Sequence, residues 1–194
     1  MKNIAIFASG SGSNAENLIR YFSAHPQGTV RLVLSNKAEA GAIERAARLG
    51  VESMVFDRDT FYNSEQVLAR LRQERIDFVV LAGFLWLVPD YLIAAYPDRI
   101  VNIHPALLPK YGGKGMYGDR VHEAVIASGE KESGITIHYT NEHYDEGGII
   151  CQQKCPVLPG DTPEELAQRI HRLEYEYYPK VIEELVEGLS PSYL

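Results

Sequence analysis

Short apolar, β-rich runs alternate with longer amphipathic stretches over the first hundred positions, and this alternation restricts the fold more than any other feature. Residues 3–8, 30–34, 51–56, 78–82 and 99–103 read as strands. Residues 15–22, 40–49, 64–74 and 89–95 read as helices between them. Leu18, Ile19 and Phe22 share one helical face, as do Val67, Leu68 and Leu71. Gly50 stands where a helix end favours a left-handed residue, and Pro89 suits a helix start. The unbroken apolar run Phe78-Val79-Val80-Leu81-Ala82 fits a central parallel strand buried on both faces. Strands and helices in this order predict βαβ units: an α/β protein with a mostly parallel sheet and helices on both faces.

The second half has a different rhythm. Residues 121–128 read as a helix. Residues 134–140 alternate, with Ile135 and Ile137 set against Thr136 and His138, and 149–157 is another extended run. These two form an expected antiparallel pair joined through 141–148. Thr162-Pro163-Glu164-Glu165 carries a capping box with proline in the first turn. The helix it starts is expected to run to about Glu176, with a last helix over 179–187.

The chain has 194 residues, 45% of them hydrophobic, enough for one substantial core. We expect a single domain over 1–194. The net charge of −7 argues against non-specific nucleic-acid binding, which rests on Lys and Arg neutralising phosphates. Cys151 and Cys155 are too few for a disulfide framework and read as ordinary thiols within a strand. The apolar run that ends at Gly10 is too short for a signal peptide, and no window approaches the roughly 18 apolar residues of a membrane span. A cytoplasmic protein without a membrane partner is expected.

Three segments carry chemistry. The first strand runs into Ser9-Gly10-Ser11-Gly12-Ser13-Asn14 and then a helix. Glycines allow a tight turn and close approach, and the N–H groups of a helix start favour an anion. The Gly10-x-Gly12-x-x-Ala15 spacing also fits a dinucleotide loop. That use requires a carboxylate after the second strand, and Ser35-Asn36-Lys37 stands there instead. A single phosphate group is therefore favoured over NAD, with a ligand-free tight turn as the alternative. The fifth strand ends in Asn102-Ile103-His104-Pro105, followed by Pro109. Strand alternation puts Asn102 and His104 on one side, and in an open parallel sheet ligands sit beyond the carboxyl ends. Either X-Pro bond here is a candidate for the cis form. The glycine-rich stretch 112–118 reads as a loop over that site, and His122 on the following helix reads equally well as structural or functional. Tyr144-Asp145-Glu146-Gly147-Gly148 is a turn by composition. Beside His104, the Asp145 carboxylate would favour a cationic imidazole able to stabilise an oxyanion.

Taken together, Gly12-Ser13-Asn14, Ser35-Asn36-Lys37, Leu81-Ala82-Gly83-Phe84, Asn102-x-His104-Pro105-x-Leu107-Leu108-Pro109 and Asp145-x-Gly147 resemble, in order and over nearly the whole chain, the phosphoribosylglycinamide formyltransferases. These are folate-dependent enzymes of purine biosynthesis in the formyltransferase superfamily. The resemblance implies a Rossmann-like formyltransferase fold with an antiparallel C-terminal extension, with 1–100 as the phosphate-binding half and 101–194 as the catalytic and folate-binding half. It implies 10-formyltetrahydrofolate as co-substrate, a phosphorylated small-molecule substrate, no metal, and a monomer or weak homodimer. Asn102, His104 and Asp145 match the catalytic residues. Gly12, Ser13 and Asn14 match the phosphate loop, and Glu174, four residues before Tyr178, matches a carboxylate near the substrate amine. Leu85, Trp86, Leu87, Val88 and Asn102 match the folate pocket, and Arg58 a folate-contacting arginine. Family members commonly carry Arg at the place of Trp86, the 112–119 loop departs from the usual one, and Gly148 stands where proline is frequent. The alternatives are another folate-dependent formyltransferase, a formyltetrahydrofolate hydrolase, or a phosphate-binding module without chemistry. Transfer-RNA formyltransferases carry an additional C-terminal domain, and the hydrolase an N-terminal regulatory one. Sugar formyltransferases fit the Gly12-Ser13-Asn14 loop less well.

Overall fold

The computed structural model describes residues 1–189; the last five positions of the expected 1–194 domain lie outside the described residues. Seven strands form one sheet. They are Lys2–Phe7 (β1), Gly28–Ser35 (β2), Glu52–Val55 (β3), Phe78–Leu81 (β4), Ile100–His104 (β5), Glu132–Tyr139 (β6) and Ile149–Pro156 (β7). Their order across the sheet is β3-β2-β1-β4-β5-β6-β7. The first five are parallel, and β6 and β7 continue the sheet antiparallel. The mostly parallel sheet and its antiparallel C-terminal pair are those expected from the alternation and from the resemblance.

Period-two alternation in the central strands sorts the core into two layers. Ile4, Ile6 and Ala8 join Phe78, Val80 and Ala82 in one cluster. Ser13–Ala24 (α1), Gly41–Arg48 (α2), Asp119–Ala127 (α6) and Pro163–Glu187 (α7) add residues to that cluster. Ala5, Phe7, Val79 and Leu81 point the other way. Arg58–Tyr62 (α3), Gln66–Gln73 (α4) and Asp90–Ala95 (α5) cover that face with Phe61, Leu71 and Leu92. All four residues of β4 are buried, as its apolar run requires. Each such aliphatic side chain contributes about 1.5–3 kcal/mol on removal from water.

Two elements differ from expectation. The short helix α3 has too few residues for a periodic signal. It starts at Asp57, whose side chain accepts the Thr60 N–H at 2.8 Å. The two C-terminal helices expected, one to about Glu176 and one over 179–187, are one continuous helix, α7. Proline forfeits one helical hydrogen bond. Here Tyr178, Pro179, Ile182 and Val186 are all buried, and their packing carries the helix through. The start of α7 is as read: Thr162 Oγ1 accepts from Glu165 N–H, and the Glu165 carboxylate accepts from Thr162 N–H. The Leu108–Pro109 bond is cis.

The order 3-2-1-4-5 reverses direction between β1 and β4, so their loops diverge and leave a crevice at their carboxyl ends. Tyr178 of α7 braces the crevice from below. Its buried hydroxyl donates to the Leu81 carbonyl at the end of β4, at 2.7 Å. Tyr178→Phe keeps the ring and removes that hydrogen bond between α7 and β4. We expect a loss of about 0.5–1.5 kcal/mol, measured as a lower urea midpoint with an unchanged slope; an unchanged midpoint would show that the bond does not stabilise the fold.

Candidate active site

A cleft of about 610 Å³ lies at the carboxyl ends of β1, β4 and β5. It takes residues from both halves of the chain.

Its first wall is the loop from β1 to α1. Gly12 caps α1 with φ of 76°, and a Cβ there would lie 2.4 Å from Ala42 Cα, so glycine is required on two counts. Ser13 and Asn14 begin the helix, whose first N–H groups have no intrahelical acceptor. Gly12, Ser13 and Asn14 all line the cleft. Asn14 Nδ2 donates to Glu174 Oε2 at 3.0 Å, which ties the loop to α7. Glu174 is 5% exposed, also lines the cleft, and pairs with His171 Nδ1 at 3.0 Å. That bond raises the His171 pKa despite burial.

The second wall follows β4. Ser9 Oγ donates to Asn36 Oδ1 at 2.6 Å and accepts from Leu85 N–H at 3.0 Å. The Leu87 carbonyl accepts from Tyr62 Oη at 2.7 Å. These bonds hold Leu85, Trp86, Leu87 and Val88 along the cleft, where all four belong to its lining. Arg58 is not among the lining residues. It is exposed at the start of α3, with its guanidinium 4.9 Å from the Trp86 ring centroid and 5.5 Å from that of Tyr62. The cation is stacked on the aromatic wall, so it bears on the cleft through Trp86.

The third wall is the end of β5. Asn102 and His104 both line the cleft, as alternation predicts. His104 is 3% exposed. Its Nε2 donates to the Tyr111 carbonyl at 2.7 Å, which leaves Nδ1 as the titrating nitrogen. Asp145 Oδ2 stands 3.5 Å from that Nδ1 and accepts from Gly113 N–H at 3.0 Å. The glycine-rich stretch therefore does fold over the site: a Cβ at Gly112 would lie 2.4 Å from Leu108 Cδ2 and 3.4 Å from Asp145 Cβ. Asp145 itself has φ of 57°, in the left-handed region that turn residues adopt.

The expected cationic His104 is not what the structure supports. Burial pushes its pKa below the ordinary histidine range, and it outweighs Asp145 and the Tyr111 carbonyl, which both pull it up. Burial also pushes Asp145 up, but His138, His104 and the Gly113 N–H together hold its carboxyl below the usual range. The lowered pKa of His104 favours a neutral imidazole beside the carboxylate at neutral pH.

Nothing in the sequence marks His138 as a site residue, yet it lines the cleft. It lies opposite Asn102 in the β5–β6 pairing and is 2% exposed. Its Nδ1 donates to the Tyr139 carbonyl at 2.8 Å, so Nε2 can accept from Asn102 Nδ2 at 3.3 Å. The same Nε2 lies 3.6 Å from Asp145 Oδ1. Its place beside Thr136 on the polar side of the alternating run is visible in the sequence, but its register against Asn102 is not. His122 is buried and lines the cleft, with Nδ1 among the buried atoms that lack a partner in the described residues.

Comparison with known proteins accords with this geometry. Residues 2–182 match the formyl transferase family. Over 192 residues the chain is 43% identical to the chloroplastic phosphoribosylglycinamide formyltransferase of Arabidopsis thaliana, covering 96% of this chain and 66% of that protein. It thus spans just under two thirds of that relative's length. It is 36% identical to the phosphoribosylglycinamide formyltransferase of Bacillus subtilis (strain 168), covering 98% of this chain and 97% of the other. The crystal structure of phosphoribosylglycinamide formyltransferase from Bacillus Halodurans superposes with a TM-score of 0.87 at 37% identity, over all of both chains.

Asp145→Asn removes the charge that pulls His104 upward. The His104 pKa, already low, should fall further when its ring protons are followed by NMR through the acidic range. A value that stays put or rises would show that the two groups are not coupled.

Proposed function

The chain belongs to the formyl transferase family, and we propose that it transfers the formyl group of 10-formyltetrahydrofolate to the amine of 5-phosphoribosylglycinamide in purine biosynthesis. One observation carries this reading: Asn102, His104 and Asp145 share a cleft with the anion-suited start of α1. The names of the full-length bacterial relative and of the plant relative support the choice of substrate. The aromatic and aliphatic segment from Leu85 to Val88 suits the flat ring system of a folate, and Gly12, Ser13 and Asn14 suit the substrate phosphate.

The amine attacks the formyl carbon, and negative charge gathers on the formyl oxygen. Asn102, whose amide is oriented by His138, supplies one hydrogen bond to that oxygen. A neutral His104 can take the proton that the amine releases, at Nδ1, where Asp145 stabilises the resulting imidazolium. The imidazolium returns the proton to the folate nitrogen as the carbon–nitrogen bond breaks. One proton is taken up and one delivered, so the enzyme ends as it began. Glu174, bonded to Asn14 beside the proposed phosphate loop, would attract the substrate amine from that side.

No helix among the described residues is long and apolar enough to cross a membrane. A cytoplasmic site of action belongs to the same proposal, and the two free thiols of β7 suit a reducing compartment.

The test is spectrophotometric release of the deformylated folate. It should require the glycinamide ribonucleotide; release without it would mark a hydrolase. His104→Ala and Asn102→Ala should each lower turnover by about 10²–10³ with the fold retained. Near-normal turnover in a folded His104→Ala would falsify the mechanism.

A further inference from the structure

The glycine loop carries carbonyl oxygens as well as N–H groups, and a bound phosphate would be repelled by the former. The structure shows what holds those carbonyls. Gly10 O accepts from Ala42 N–H at 3.2 Å, and Ser11 O accepts from Arg45 Nε at 2.8 Å. Both donors belong to α2. The contact is close enough that a Cβ at Gly41 would lie 2.6 Å from Ser11 O.

Arg45 is itself clamped. Its Nη1 binds Glu16 Oε2, in the first turn of α1. Arg48 Nη2 reaches the same oxygen at 2.8 Å, and Arg20 Nη2 reaches Oε1 at 2.8 Å. Arg45 and then Arg20 hold the Glu16 carboxyl down at about 2, so it stays charged through the working range. A closed circuit results: the start of α1, Glu16, Arg45, Ser11 O, and back to the start of α1.

Peptide planarity turns this circuit into a statement about ligand binding. The Ser11 carbonyl and the Gly12 N–H belong to one planar trans peptide and point in opposite directions. Gripping the carbonyl from α2 therefore aims the Gly12 N–H away from α2, and Gly12 lines the cleft. Stability does not demand Arg45 for this purpose. Ser11 is exposed, and water can satisfy its carbonyl. What the arginine adds at Ser11 is a preset direction for the Gly12 N–H.

Resting on the phosphate-site reading above, we infer that Arg45 is a positioning residue for the substrate phosphate: by holding Ser11 O it pre-orients the Gly12 N–H, and Glu16 holds Arg45 in place. It touches no reacting atom. Its removal should weaken binding of the phosphorylated substrate and leave the chemistry alone.

The experiment compares wild type, Arg45→Met and Arg45→Lys. For Arg45→Met, KM for the ribonucleotide and the inhibition constant of inorganic phosphate should both rise about tenfold or more. The kcat and the KM for the folate should stay close to wild type. The dephosphorylated riboside should be used equally well by both proteins. Arg45→Lys, whose ammonium still reaches one of the two partners, should be intermediate, and it serves as the test if the methionine variant does not fold. An unchanged KM and phosphate inhibition would overturn the inference. So would an equal loss with the riboside, which would mark a general structural role. If the wild-type chain formylates no ribonucleotide, the proposed function fails; calorimetric binding of inorganic phosphate, weaker in Arg45→Met or not, then decides the role of Arg45.

Discussion

Burial of the central strands on both faces is the constraint from which the site follows. Ile4, Ile6, Val80 and their neighbours face one helical layer, and Ala5, Phe7, Val79 and Leu81 face the other. A strand sealed on both sides has no place for a polar group except at its ends. Polar chemistry is therefore driven to the carboxyl ends of β1, β4 and β5, where the strand order reverses and the connections part. Ser9, Asn102 and His104 all emerge there, each within a few residues of a fully apolar run.

What gathers at those ends is a set of partly satisfied polar groups held by others that are fully satisfied. Thr136 illustrates the second kind. Its buried hydroxyl donates to the Ala106 carbonyl at 2.7 Å and accepts from Leu108 N–H at 3.0 Å, which pins the proline-bounded turn after His104 to β6. His138 orients Asn102, Gly113 N–H holds Asp145, and Arg45 holds the glycine-rich loop. The groups left with spare capacity are those facing the cleft. Buried polar atoms without partners are costly, and among the described residues three of them, Asn14 Oδ1, His122 Nδ1 and Thr140 Oγ1, belong to residues that line the cleft. A site organised in this way is prepared for a ligand that completes its hydrogen bonds.

The electrostatics of His104 show why local chemistry alone misleads. A carboxylate beside an imidazole favours the imidazolium. Desolvation opposes it, and at a site this enclosed desolvation is the larger effect. A neutral histidine poised beside a carboxylate can accept a proton during the reaction, which a histidine already charged cannot do.

The sequence by itself determined the fold class, because hydrophobic period and turn chemistry are local properties. The apolar run of β4, the alternation of β6 and the capping box at Thr162 each state their element within a few residues. It determined the glycine loop and the Asn102–His104 pair for the same reason, and the ordered motifs carried the family. Pro179 marks where local reasoning stopped: a helix break by propensity became the buried middle of a 25-residue helix, because tertiary packing outweighed one lost hydrogen bond. Only the tertiary structure decided that Asp145 meets both His104 and His138, that Glu174 reaches Asn14 across 160 positions, and that Arg45 grips Ser11. These are contacts between elements distant in sequence. Their existence depends on strand register and helix placement, which no single segment encodes.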